Sequence, residues 1–191
     1  MSSLVSGPLP KEVLLHSCCA PCSAAILEWL QQNGVRPTIF FYNPNIYPVK
    51  EYLIRKNELD RFAQSLGIRV IDGDYRHDLW RLAVIGLEKE PERGRRCLAC
   101  FKHRLLVTAE CAKREGIELY TTTLAGSRWK SAEQIREAAA HAKSLIPEST
   151  YWDVNWKKGA QHIETYWVPK YVNEEAAKLQ EFFGKYLKAS S

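Results

Sequence analysis

Val13-Leu14-Leu15-His16-Ser17-Cys18-Cys19-Ala20-Pro21-Cys22 carries the transition on which the fold class turns. The run over 13–16 is short and apolar, the pattern of a strand buried on both faces. It ends at the cysteines. Pro21 then suits the opening turn of a helix: it has no N–H to leave orphaned, and its φ is already helical. Apolar residues continue over 24–30 until Asn33-Gly34 stops the helix.

The rest of the chain repeats this alternation. Thr38-Ile39-Phe40-Phe41-Tyr42 is β-branched and aromatic, a second strand, and Asn43-Pro44-Asn45 breaks it into a loop. Helical spacing over 49–66 ends at Gly67, a third strand covers 68–71, and a helix covers 78–87. After a charged loop over 88–96, Leu98, Phe101, Leu105, Ala109 and Ala112 mark one face of a helix that closes at Gly116. A fourth strand covers 119–123. Ser131-x-x-Gln134 reads as a capping box for a helix running to Leu145. The expectation is an α/β, three-layer, Rossmann-like fold: a parallel sheet covered by helices on both faces. The 191 residues suit one domain, with a flexible lead-in over 1–11, an irregular segment over 147–171 and a last amphipathic helix over 173–187. In such folds ligands collect beyond the carboxyl ends of the strands. Cys18, Asn43 and Thr121-Thr122-Thr123 all fall at strand ends, so the topology can bring them to one edge.

Five of the six cysteines lie in two clusters, Cys18, Cys19, Cys22 and Cys97, Cys100. Cys111 stands alone on a helix and reads as a small core residue. Five thiols in two windows suggest a soft-metal or redox site. A secreted disulfide framework is disfavoured, because the chain is long enough to build a core and shows no apolar signal segment. Zinc suits paired Cys-x-x-Cys motifs, but the adjacent thiols of Cys18-Cys19 add nothing to a closed tetrahedral site. The extra thiol suits a site that binds more than one kind of atom, which favours an iron–sulfur centre over zinc, with a thiol–disulfide relay the least favoured of the three. Both clusters open helices, where the helix dipole and free N–H groups favour thiolates. Reduced thiols fit a cytoplasmic location, and no run approaches the ~18 apolar residues of a membrane span.

The formal net charge of +5 is modest, but its distribution is uneven. Arg93, Arg95, Arg96, Lys102 and Arg104, with His103, bracket the second cysteine pair, and Lys157-Lys158 follows Trp152 and Trp156. Basic groups beside aromatics suit a polyanion with exposed bases; the plainer reading is a solvated face.

Four co-linear motifs carry a resemblance. They are Leu14-Leu15-His16-Ser17-Cys18-Cys19-Ala20-Pro21-Cys22-Ser23; Tyr42-Asn43-Pro44-Asn45-Ile46 with Pro48, Glu51-Tyr52 and Arg55; Arg96-Cys97 with Cys100-Phe101 and Arg104-Leu105; and Thr122-Thr123-Leu124 with Ser127 and Lys130. In this order, over roughly residues 13 to 130, the chain resembles the epoxyqueuosine reductase QueH family, which removes the epoxide oxygen from epoxyqueuosine in tRNA. The resemblance implies the nucleotide alpha-hydrolase (HUP) type of sheet. The Ser-Gly-Gly-x-Asp-Ser phosphate loop of that group is replaced by the cysteines, so ATP use is not implied. Family members usually carry a Tyr-Cys-Gly-Cys segment near the C-terminus. Here the corresponding region reads Tyr166-Trp167-Val168-Pro169-Lys170-Tyr171, and no cysteine follows Cys111. Loss of a ligand there would leave a cluster with three cysteines and one open iron.

The resemblance further implies a [4Fe-4S] cluster with an adjacent mononuclear iron acting as a Lewis acid, an external low-potential electron donor, and tRNA as partner. Cys97 and Cys100 are expected on the cluster, with Cys18, Cys19 and Cys22 divided between the two centres. Lys130 or Tyr42 would supply a proton. Asn43, Asn45, Arg55, Thr122 and Thr123 would meet the base or sugar, and Arg95 and Arg96 the phosphates. For Asn43 and Asn45, turn formation around Pro44 is the competing role. Two rival functions remain at this point: an iron–sulfur desulfurase or sulfur-transfer enzyme acting on a thiolated base, and a zinc-stabilised RNA-binding module.

Overall fold

The computed structural model describes Val5 and residues 7–157. Five strands, β1 (Glu12–Ser17), β2 (Arg36–Phe41), β3 (Val70–Asp72), β4 (Leu119–Thr122) and β5 (Thr150–Tyr151), form one sheet in the order β3-β2-β1-β4-β5. Every pairing is parallel. Helices α1 (Ala20–Gln32), α2 (Val49–Ser65), α3 (His77–Ala83), α4 (Arg95–Arg114) and α5 (Ala132–Leu145) connect them, with a 3-10 turn at Thr123–Gly126. α1 packs against α2 and α4 against α5, giving helix–sheet–helix layers. The three-layer, Rossmann-like α/β expectation holds.

β1 is central because it is apolar on both faces: Val13, Leu14 and Leu15 are fully buried. It pairs with β2 from Glu12↔Arg36 to Ser17↔Phe41 and with β4 from Leu14↔Tyr120 to His16↔Thr122. Leu27 and Leu30 of α1, Leu59 of α2, Leu105 of α4 and Ile135 of α5 complete the core. Cys111 is buried in it, as its lone position suggested; burial pushes its thiol up to about 11.

Three local expectations change. The segment expected to be irregular from 147 contains β5, whose Thr150 N–H and Trp152 N–H donate to the carbonyls of Glu118 and Tyr120. A two-residue strand defined only by its neighbour leaves no periodicity to read. α3 ends at Ala83, not 87, because the chain turns through Gly86 at φ 77°. α4 begins two residues before Cys97, with Gly94 as its N-cap, so both second-cluster cysteines lie inside the helix. The expected helix over 173–187, Lys158 and the region corresponding to the Tyr-Cys-Gly-Cys segment lie outside the described residues.

Candidate metal and substrate site

Successive strands leave β1 in opposite directions, toward β2 and toward β4, so a crevice opens beyond their carboxyl ends between β1 and β4. The cysteine loop sits there. Cys19 is the N-cap of α1, and Cys22 follows one residue after Pro21 in its first turn. The Sγ atoms of Cys18, Cys19 and Cys22 lie within 4.8 Å of one another, and those of Cys18 and Cys19 are 3.7 Å apart. Thr123, at the end of β4, fixes Cys18 from both sides: its Oγ1 accepts from the Cys18 N–H at 3.1 Å and donates to Cys18 Sγ at 3.3 Å. Ser17 and Ser23 hydroxyls bond to each other, and Ser23 Oγ donates to the Cys19 carbonyl at 2.7 Å, closing the loop beneath the thiols.

The three thiols are electrostatically coupled. Hydrogen bonds from the Cys19 and Cys22 thiols hold Cys18 well below the usual thiol range. Donating to Cys18 pushes Cys19 up to about 12 and Cys22 higher still. Burial and mutual repulsion oppose a second and a third thiolate. A soft cation among the three sulfurs removes that opposition, so the donor set fits a thiolate-ligated metal. Cys97 and Cys100 are outside the three-sulfur group. They lie on α4 at i and i+3, with Arg104 at i+7, within about 60° of one another around a helix axis of 3.6 residues per turn.

Arg104 anchors that face. It is only 4% exposed, and its Nη2 donates to Asn43 Oδ1 and lies 3.3 Å from His16 Nε2. Asn43 in turn donates to the Ser17 carbonyl at 2.9 Å. Fully buried His16 ties three strands together. Its Nδ1 is 2.7 Å from Thr122 Oγ1 and its Nε2 is 3.1 Å from the Tyr42 carbonyl. Nε2 thus lies between the Tyr42 carbonyl, which only accepts, and the Arg104 guanidinium, which only donates, while Nδ1 faces the Thr122 hydroxyl, whose oxygen accepts the Leu124 N–H. Burial, then the Arg104 charge, drives the imidazole down to about 3, so it stays neutral.

A cavity of about 370 Å³ opens onto this arrangement, lined by Cys18, Cys22, Asn43, Asn45, Arg55, Arg104, Thr123 and Lys130, with Trp129 at its wall. Among the described residues Asn45 Oδ1 and Arg104 Nε are buried without a hydrogen-bond partner, an acceptor and a donor left over by that network. The structure thus brings Asn43, Asn45, Arg55, Thr123 and Lys130 together with Cys18 and Cys22. It places Thr122 and Tyr42 elsewhere. Thr122 serves His16. The Tyr42 hydroxyl bonds His103 Nε2 at 2.9 Å, and burial pushes it up to about 12.

The basic run is largely engaged. Arg93 donates to the carbonyls of Trp129 and Arg128, Arg95 pairs with Glu90 at 2.7 Å, and Arg96 donates to the Glu88 carbonyl. Trp156 corrects the reading of a base-stacking aromatic. It is 1% exposed, stacks edge-on against Trp29 and Trp152, and donates to Thr121 Oγ1 at 3.0 Å. The exposed ring beside the cavity is Trp129, at 58%. Sequence reasoning assigned no role to His16, Trp129 or the buried state of Arg104. For Arg104 a signal existed, its helical register with Cys97 and Cys100.

The epoxyqueuosine reductase QueH family model matches residues 13–173. A protein of Acinetobacter baylyi named epoxyqueuosine reductase QueH is 49% identical over 147 residues, covering 77% of this chain and 67% of the relative. The same-named protein of Haemophilus influenzae is 48% identical over 154 residues, covering 80% and 63%, and that of Thermotoga maritima 30% over 155 residues, covering 80% and 78%. The chain spans about two thirds of the length of the Acinetobacter and Haemophilus relatives. Among the described residues no helix is long and apolar enough to cross a membrane. With the match running from β1 through both cysteine clusters and beyond β5, the chain belongs to the epoxyqueuosine reductase QueH family.

Proposed function

We propose that this chain reduces epoxyqueuosine to queuosine in tRNA. The observation that carries the reading is the cavity itself: Cys18 and Cys22 share its wall with Lys130 and with the unpaired Asn45 oxygen, in a chain of this family. Removing the epoxide oxygen breaks two C–O bonds, forms a C=C bond and releases water, which takes two electrons and two protons. The electrons come from an external low-potential donor. A [4Fe-4S] cluster with an adjacent iron, held by Cys18, Cys19, Cys22, Cys97 and Cys100, would supply one-electron transfer and Lewis acidity.

The chain's own residues do the rest. Asn45 accepts a donor of the modified base, and Asn43 holds Arg104 against the cavity. Arg55, paired with Glu51 at 2.7 Å, presents a cation at the rim. Lys130 is the better placed proton source, since the Tyr42 hydroxyl is taken by His103. The core is assembled from apolar side chains of the sheet and helices, so a metal serving only to hold the fold has little to do here. That favours the enzyme over the zinc-stabilised module.

Anaerobically reconstituted, reduced protein given epoxyqueuosine-containing tRNA should yield queuosine by nucleoside mass spectrometry. Cys22→Ala should lower turnover by about two orders of magnitude while RNA affinity changes by less than about threefold. A metal-loaded, reduced protein that leaves this tRNA unchanged but releases sulfide from a thiolated base would move the assignment to a desulfurase.

A further inference from the structure

We infer that Arg104 is the built-in counter-charge of the three-thiol centre, a buried guanidinium whose negative partner is the metal-bound thiolate set. The inference rests on reading Cys18, Cys19 and Cys22 as a metal site, and goes beyond it by assigning a residue that ligates nothing.

Buried charges are paired or they are expensive. Arg104 is 4% exposed, yet among the described residues no carboxylate pairs with it. Its contacts are neutral: an amide oxygen of Asn43 and the uncharged ring of His16. Its Nε–H has no hydrogen-bond partner among the described residues. The other cations on the cavity wall are placed differently. Arg55 is half-exposed and paired with Glu51, Arg128 is exposed and lies over the Trp129 ring at 5.0 Å, and Lys130 lies 3.9 Å from Glu92. Only Arg104 combines deep burial with a missing anion, and it shares the cavity wall with Cys18 and Cys22. It also shares a face of α4 with Cys97 and Cys100, so any ligands from that helix arrive beside the same charge.

Three thiolates around a divalent ion carry a net charge of −1. The guanidinium offsets that charge without occupying a coordination position, and its Nε–H is left over by the hydrogen bonds among the described residues. The hydrogen bond from Nη2 to Asn43 Oδ1 keeps the cation in place.

The test is metal affinity, not turnover. Reduced, metal-free full-length chain is titrated anaerobically with Co²⁺, following the thiolate-to-cobalt charge-transfer band. Arg104→Gln keeps an amide that can reach Asn43 and removes the charge; its affinity should fall about tenfold to a hundredfold, the scale of one charge pair in a partly buried site. Arg104→Lys keeps the charge and loses the planar fork; its affinity should stay within about threefold of the unmodified chain. Equal affinity of Arg104→Gln and the unmodified chain overturns the inference. So does an Arg104→Lys loss as large as that of Arg104→Gln, which would mark a purely structural fork. If circular dichroism shows Arg104→Gln unfolded, Arg104→Lys alone decides by the same limits. Absence of the charge-transfer band in the unmodified chain overturns the metal reading itself; a band insensitive to residue 104 overturns only the counter-charge.

Discussion

His16 carries more of the site than any sequence motif discloses. Its two ring nitrogens reach Thr122, 106 residues away, and the carbonyl of Tyr42, 26 residues away. Replacing it with Ala empties a fully buried volume and removes the ring partner of the Thr122 hydroxyl and of the Tyr42 carbonyl. His16→Ala should therefore cost about 2–5 kcal/mol in urea unfolding, the range for a core truncation joined to lost buried hydrogen bonds. A loss under about 0.5 kcal/mol, the ordinary scale of a surface change, would show that the strand tie is dispensable. The cysteines were legible because their chemistry is written in residue type and short spacing. His16 and Arg104 were not, because their meaning lies in partners that only the folded sheet brings near. Trp156 shows the converse error: beside two lysines it reads as a nucleic-acid contact, but Trp29 of α1 claims its ring.

Among the elements, α4 decides where the second cysteine pair sits, and Gly94 decides where α4 starts. A Cβ there would meet Glu90 Oε2 at 2.7 Å and the Pro91 carbonyl at 2.9 Å. The same Glu90 carboxylate accepts from the Arg95 backbone N–H at 3.1 Å and from its Nε at 2.8 Å. Gly94→Ala must push Glu90 aside and disturb the first turn that holds Cys97. It should destabilise the chain by about 1–3 kcal/mol in urea unfolding, as overpacking does. Unchanged stability would mean that the Glu90 side chain swings away freely. Helices were well marked in the sequence because each has an apolar stripe and a stop signal. β5 was not, since two residues carry no alternation and only their pairing with β4 defines them.

At the scale of the whole molecule, the basic surface is more preoccupied than a charge count suggests. Arg93 holds the loop that bears Trp129, so altering it acts on the cavity rim as well as on any phosphate. Arg95, 78% exposed on its side chain, is the cleaner probe. Arg95→Ala should weaken tRNA binding and flatten the salt dependence by about one unit of slope if it meets one phosphate. An unchanged slope would remove Arg95 from the contact surface. The tie from Thr122 through His16 to Tyr42 has a different reach. It runs crosswise under the thiols, binding β4, β1 and the end of β2 at the edge that bears the site. The receptacle is therefore standing before its cargo arrives. Loading becomes a matter of delivery and capture on a finished surface, reversible by a chelator, rather than an act of folding: stripped protein should keep its far-ultraviolet dichroism, and returned metal should find the same seat without waiting for the chain to rearrange.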